Sequence, residues 1–229
     1  MAIRTSRVHP PSTQGDEVGG RSWGAAIAVA AFGLVVAATV TAVVAVDPRR
    51  TAAIRDVMAI STAGDDMPYY AAWGTYTGVL AWTASAAVLL IAARLVAGSA
   101  RETTALLVGG GAMALVLAVD DLYMLHDAFL LQRGVDERIT QGVIALMGLF
   151  WVLWCARRLI VHPETPVLLV SVILLAHSAV SDAAGDLLLH EEGTKLASAL
   201  CWAVWAYRTV LRELSSRSAS DGPPRPARA

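Results

Sequence analysis

AVDDLYMLHDAFLLQRG, residues 118–134, closes a long apolar run and places Asp120, Asp121, His126 and Asp127 where a membrane helix should carry no charge. Ionisable groups cost at least a few kcal/mol each at bilayer depth, so on a spanning helix they mark a functional site that needs a partner. The partner expected from the rest of the chain is HSAVSDAAGDLLLHEEGTK, residues 177–195, the other apolar segment interrupted by carboxylates and histidines.

The composition supports a membrane setting. Hydrophobic residues make up 56% of the chain and charged residues 16%, with a mean hydropathy of +0.55, which places it outside the soluble class. The net charge of -1, with basic residues dispersed, excludes a nucleic-acid partner. Cys155 and Cys201 sit inside apolar runs with no Cys-x-x-Cys, so they read as small buried hydrophobes. One lysine against seventeen arginines is the signature of a GC-rich bacterial genome.

Around these stretches the sequence predicts an all-α, polytopic membrane helix bundle of six spans, over residues 22–46, 67–93, 104–131, 138–158, 166–190 and 194–211, each close to the roughly 20 residues that cross a bilayer. Residues 1–21 and 213–229 are polar and rich in Pro, Gly or Ser, and read as disordered cytoplasmic arms around a transmembrane domain over 22–212. Asp47-Pro48 opens a short interfacial helix ending near Gly64, and Asp65-Asp66-Met67-Pro68 repeats the cap-then-proline signal. Gly74 and Gly78 form a Gly-x-x-x-Gly suited to close helix packing. Gly134 and Gly193 are placed as C-terminal caps of tight hairpins, and Asp136-Glu137 as the start of the fourth span. No internal repeat is visible. Twelve of the eighteen Lys and Arg fall on the N-terminal side of the membrane and six on the other, which predicts both termini inside the cytoplasmic membrane.

Asp120 and Asp182 each lie sixteen residues into outward-running helices, about 24 Å along the axis, and so are expected at matching depth near the outer face. At 100° per residue Asp120 and Asp127 share a face, flanked by Asp121 and His126 on opposite sides. Ser178, Asp182, Asp186 and His190 form an i, i+4 ladder, and Glu191, Glu192 and Lys195 roof the site from a turn. Carboxylates with imidazole suit zinc or a similar divalent cation. Asp120, Asp127, Asp182, His126 and His190 are the expected ligands, and a metal-bound water would supply hydroxide for hydrolysis. Asp120, Asp127 and Asp182 double as general-base candidates, with Ser178 and Asp186 beside them. Haem is disfavoured because His126 and His177 differ in depth. Trp151, Trp154, Trp202 and Trp205 read as packing residues.

LHDAFLLQRGVDE, where His126 is followed ten residues later by Asp136-Glu137, together with Ser178, resembles in arrangement the superfamily of alkaline ceramidases and adiponectin receptors. That resemblance implies a zinc-dependent membrane hydrolase. The sequence departs from the pattern in its last span, TKLASALCWAVWAYR, which has no histidine, and in having one span fewer.

Three functions fit these residues. A metal-dependent hydrolase would use the carboxylates as ligands or base. A proton- or cation-coupled transporter would use them as relays, although the inner halves ALLVGGGAMALV and VLLVSVILLA offer almost no polar continuation. An accessory or assembly subunit would use them only to specify helix pairing. The bilayer is the one partner the sequence names.

Overall fold

The computed structural model describes residues 73–98, 101–125, 129–184 and 188–220, together with residues 24, 27–29, 31–33, 35–36 and 38–39. The described part is all-α, with no strand among the described residues. Its helices are α1 (Trp73–Val96), α2 (Arg101–Tyr123), α3 (Glu137–Trp154), α4 (Ala156–Val161), α5 (Thr165–Ala184) and α6 (Leu188–Ser220). The expected interfacial helix after Asp47, the first arm and the last nine residues lie outside the described residues. Of the expected first span, the described positions between 24 and 39 are helical. A Cβ on Gly33 there would come within 3.0 Å of Ala197 Cβ, which seats this segment on α6.

The core is a row of helices in the order α2, α1, α6, α5, with α3 laid loosely against α2. Three consecutive glycines in α2 explain how so many elements reach it. Successive positions on a helix point about 100° apart, so each glycine faces a different neighbour. A Cβ on Gly109 would lie 2.1 Å from Trp151 Cδ1 of α3, on Gly110 2.9 Å from the Trp205 ring of α6, and on Gly111 2.8 Å from Leu90 Cγ of α1. Trp82, Trp151, Trp202 and Trp205 then form a contiguous aromatic cluster with ring centroids 5.5–6.0 Å apart. Edge-to-face and tilted contacts of this kind add to the area they bury. Of the four tryptophans expected to pack, Trp151, Trp202 and Trp205 are buried and Trp154 points outward. Cys155 and Cys201 are free and buried.

Among the described residues two helices, Gly74–Val96 and Arg101–Tyr123, are long and apolar enough to cross a membrane. Within α5, Thr165–Ser181 is apolar but shorter. α6 is less apolar, since Arg208, Arg212 and several Ser and Thr interrupt its apolar run. α5 and α6 are joined by a reciprocal clasp in which Ser171 Oγ donates to Ser198 O (2.8 Å) and Ser198 Oγ to Ser171 O (2.9 Å).

Several helix limits differ from expectation, each for a local reason. α2 ends at Tyr123 because Met124 adopts a left-handed conformation with φ 47°. Wide turns follow, in which Phe129 N donates to Met124 O and Leu130 N to Leu125 O, both at 3.0 Å. Gly134 (φ 79°) follows the short 3-10 turn Leu131–Arg133 and so does not cap α2, whereas Asp136, which accepts from Arg138 N at 2.8 Å, starts α3 as capping requires. Gly193 is no cap: α6 begins at Leu188, and Glu191 in its first turn complements the helix dipole. At the far end α6 runs to Ser220, through residues expected to be a disordered tail. Arg217 donates there to Leu95 O (2.5 Å) and Val96 O (2.7 Å), closing the carbonyl end of α1.

Candidate functional site

α3 and α5 pack on α2 and α6 but hardly on each other, and the gap between them opens into a cavity of about 440 Å³. Its belly is apolar: Trp82, Met113 and Leu117 on one side, Ile144, Gly148 and Val152 of α3 and Val172 and Leu175 of α5 on the others, with Trp151 and Trp202 at the bottom. One end is charged, lined by Asp120, Asp121, Glu191, Lys195, Gln141 and Ser178. On α2, Met113 to Asp120 spans seven residues, and so does Lys195 to Trp202 on α6, so the charged end stands about 10 Å from the aromatic bottom.

Asp120 and Asp121 are both buried, and Lys195 Nζ lies 2.8 Å from Asp121 Oδ1. Gly78 of α1 faces this carboxylate: a Cβ there would stand 4.0 Å from Asp121 Oδ2, so one glycine of the Gly-x-x-x-Gly lies against the acid. Ser178 Oγ donates to Glu191 O (3.1 Å), tying α5 to the first turn of α6, and Thr194 Oγ1 donates to the same carbonyl (3.1 Å).

The residues expected to form the site are placed as follows. Asp120 and Ser178 line the cavity. His126, Asp127 and Asp186 lie outside the described residues, as do the side chains of Asp182 and His190. Asp121, expected to flank the site, is inside it, because positions 120 and 121 straddle the direction from α2 toward α6. α2, whose phase carries the expected link from Asp120 to Asp127, ends at Tyr123, and Met124 is left-handed. The ladder from Ser178 to His190 is likewise broken, since α5 ends at Ala184 and His190 belongs to α6. α2 and α5 line the same cavity with almost no direct contact, so the expected pairing of these two helices is replaced by a pairing of each with α6 or α1. Among the described residues no three His, Cys, Asp or Glu come together in a way that could hold a metal.

A second polar centre, which the sequence reading missed, lies at the opposite end of α6. Glu164, fully buried in the α4–α5 connection, accepts from Arg208 Nε (2.6 Å) and Nη2 (3.1 Å) and from Arg212 Nε. Glu213 accepts from Arg158 and lies 3.5 Å from His162 Nε2. His162 Nδ1 accepts from Glu164 N at 3.2 Å, so that nitrogen carries no proton and Nε2–H faces Glu213. Burial opposes ionisation of Glu164, but the hydrogen bonds and charges of Arg208 and Arg212 outweigh it and hold the carboxyl below its ordinary value. The His162 hydrogen bond, then Arg158, lower Glu213 against the opposing effect of burial. The available signal was the i, i+4 pair Arg208 and Arg212 with one acid, Glu164, in a short connection. It is a structural latch, since its carboxylates are consumed by arginines.

These features define the class: among the described residues, an all-α bundle with two membrane-length helices and an apolar cavity with a charged end. Residues 26–209 match the family described as domain of unknown function DUF8692, and the chain belongs to that family. No curated protein and no solved structure matches it.

Proposed function

We propose that the chain is a multi-pass protein of the cytoplasmic membrane that takes a single-chain amphiphile from the bilayer into the cavity between α3 and α5. The observation that carries this reading is the cavity, whose apolar belly and charged end match a molecule with a hydrocarbon tail and a polar head. Its volume of about 440 Å³ lies within the range of small-molecule sites, roughly 300–1,000 Å³. The helices flanking the gap turn large apolar side chains outward: Leu146, Phe150 and Leu153 on α3, Ile173 and Val180 on α5. Ser171, Ser198, Ser178, Asp120 and Asp121 are buried instead. Apolar outside and polar inside is the arrangement a bilayer favours. It supports six spans, with those over 138–158, 166–190 and 194–211 held by packing and buried polar contacts where their apolarity is lower.

The test is quenching of tryptophan fluorescence in nanodiscs by a single-chain amphiphile brominated on its tail. Trp82, Trp151 and Trp202 line the cavity, so quenching should saturate in the wild type and weaken when Gly148→Leu fills the cavity. Linear quenching, identical in both proteins, would refute the reading.

A further inference from the structure

Lys195 is the sole lysine of the chain, and it stands at the charged end of the cavity rather than on a solvated surface. An ion pair to Asp121 needs only a cation, and arginine serves that purpose at Glu164 and Glu213. Lysine differs in carrying a primary amine, the side chain that forms imines with carbonyl compounds in apolar sites. Trp202 lies seven residues beyond Lys195, nearly two helical turns, and so on the same face of α6. A chain joined at Nζ would therefore run down α6 into the belly formed by Met113, Trp82, Trp151 and Trp202, the volume between α3 and α5.

We propose that Lys195 is the covalent attachment point for a lipophilic aldehyde, held as a protonated imine with Asp121 as its counter-ion. This deepens the amphiphile-binding reading and rests on it. The ammonium passes one proton to Asp121 Oδ1, and the free Nζ lone pair attacks the aldehyde carbon, forming the C–N bond while the carbonyl π pair moves to oxygen. A second proton moves from nitrogen to that oxygen, giving a carbinolamine. Asp121 returns its proton to the hydroxyl, which departs as water, and the remaining nitrogen pair closes the C=N bond. The products are one water, a positively charged imine and an Asp121 carboxylate. No oxidant or reductant is consumed. Asp121 ends 2.8 Å from the position of the nitrogen whose charge it balances, in a buried setting where an unbalanced charge would be costly.

The probe is all-trans-retinal, an apolar aldehyde whose protonated imine absorbs in the visible, added to the full chain in nanodiscs. Borohydride reduction followed by peptide mass spectrometry should find one retinyl group per chain, on Lys195. The unreduced adduct should show a red-shifted band that moves in Asp121→Asn. Lys195→Arg, which keeps the cation, should give neither adduct nor band. Saturable quenching in the wild type with no adduct on Lys195, or with adduct only on the N-terminal amine, overturns the imine and leaves amphiphile binding standing. Absence of saturable quenching overturns both.

Discussion

At the residue scale, Gly109 bears most directly on how the bundle closes. A helix gains up to about 1 kcal/mol when glycine becomes alanine, but overpacking a filled site costs about 1–3 kcal/mol. A Cβ 2.1 Å from the rigid Trp151 ring cannot be accommodated without moving α3. Gly109→Ala should therefore lose about 1 kcal/mol net, read as a lower unfolding midpoint in detergent. Gly142 on α3 has nothing within 4 Å of its added Cβ, so Gly142→Ala should be neutral or slightly stabilising. Equal effects of the two substitutions would show that helix propensity, and not contact with Trp151, governs both. The charged residues were visible in the sequence at this scale: Asp120 and Asp121 were recognisable as anomalous from their apolar surroundings alone. The segment that supplies a partner, residues 177–195, was legible as well, but the particular pair Asp121–Lys195 was not, because Lys195 lies 74 positions away from Asp121 and nothing in either segment encodes the rotation of α6 that brings them together.

At the scale of elements, the latch joining the α4–α5 connection to α6 gives a pH signature. The carboxyls of Glu164 and Glu213 are held below their ordinary value of 4.5. A carboxyl depressed in the folded state contributes stability that is present above the unfolded pKa and is lost as pH falls through the folded pKa. The unfolding midpoint should accordingly hold near neutrality and drop as pH falls below about 4.5. Glu164→Gln should cost about 2 kcal/mol at pH 7, less than a fully buried pair because Arg208 and Arg212 each keep about a third of their side-chain exposure. The gap between wild type and Glu164→Gln should narrow toward acid; a constant gap from pH 7 down to about 3 would argue against ionic stabilisation by this residue. Element existence was legible from apolar length, and the start of α3 from Asp136. Element ends were not, because the left-handed Met124 and the acidic first turn of α6 are settled by local backbone energetics that glycine positions alone misplace.

At the scale of the whole molecule, the proposed bilayer setting rests on the outward apolar faces of α1, α3 and α5 together with the buried Ser and Asp residues. Alkaline carbonate washing of membranes should leave the full chain in the pellet, and protease added to inverted vesicles should reach the C-terminal residues after Ser220. Release into the supernatant would exclude an integral membrane protein. Composition by itself determined the all-α class, the apolar helices and the position of an anomalous acidic site, because hydropathy and periodicity are local properties of the chain. Only the tertiary structure decided which side chains share that site. Depth along a helix follows from residue counting at 1.5 Å per residue. Rotation about the helix axis follows instead from packing, here from three glycines and four tryptophans that turn α2, α3 and α6 onto one another. That rotation pairs Asp121 with Lys195 and leaves the α3–α5 gap open.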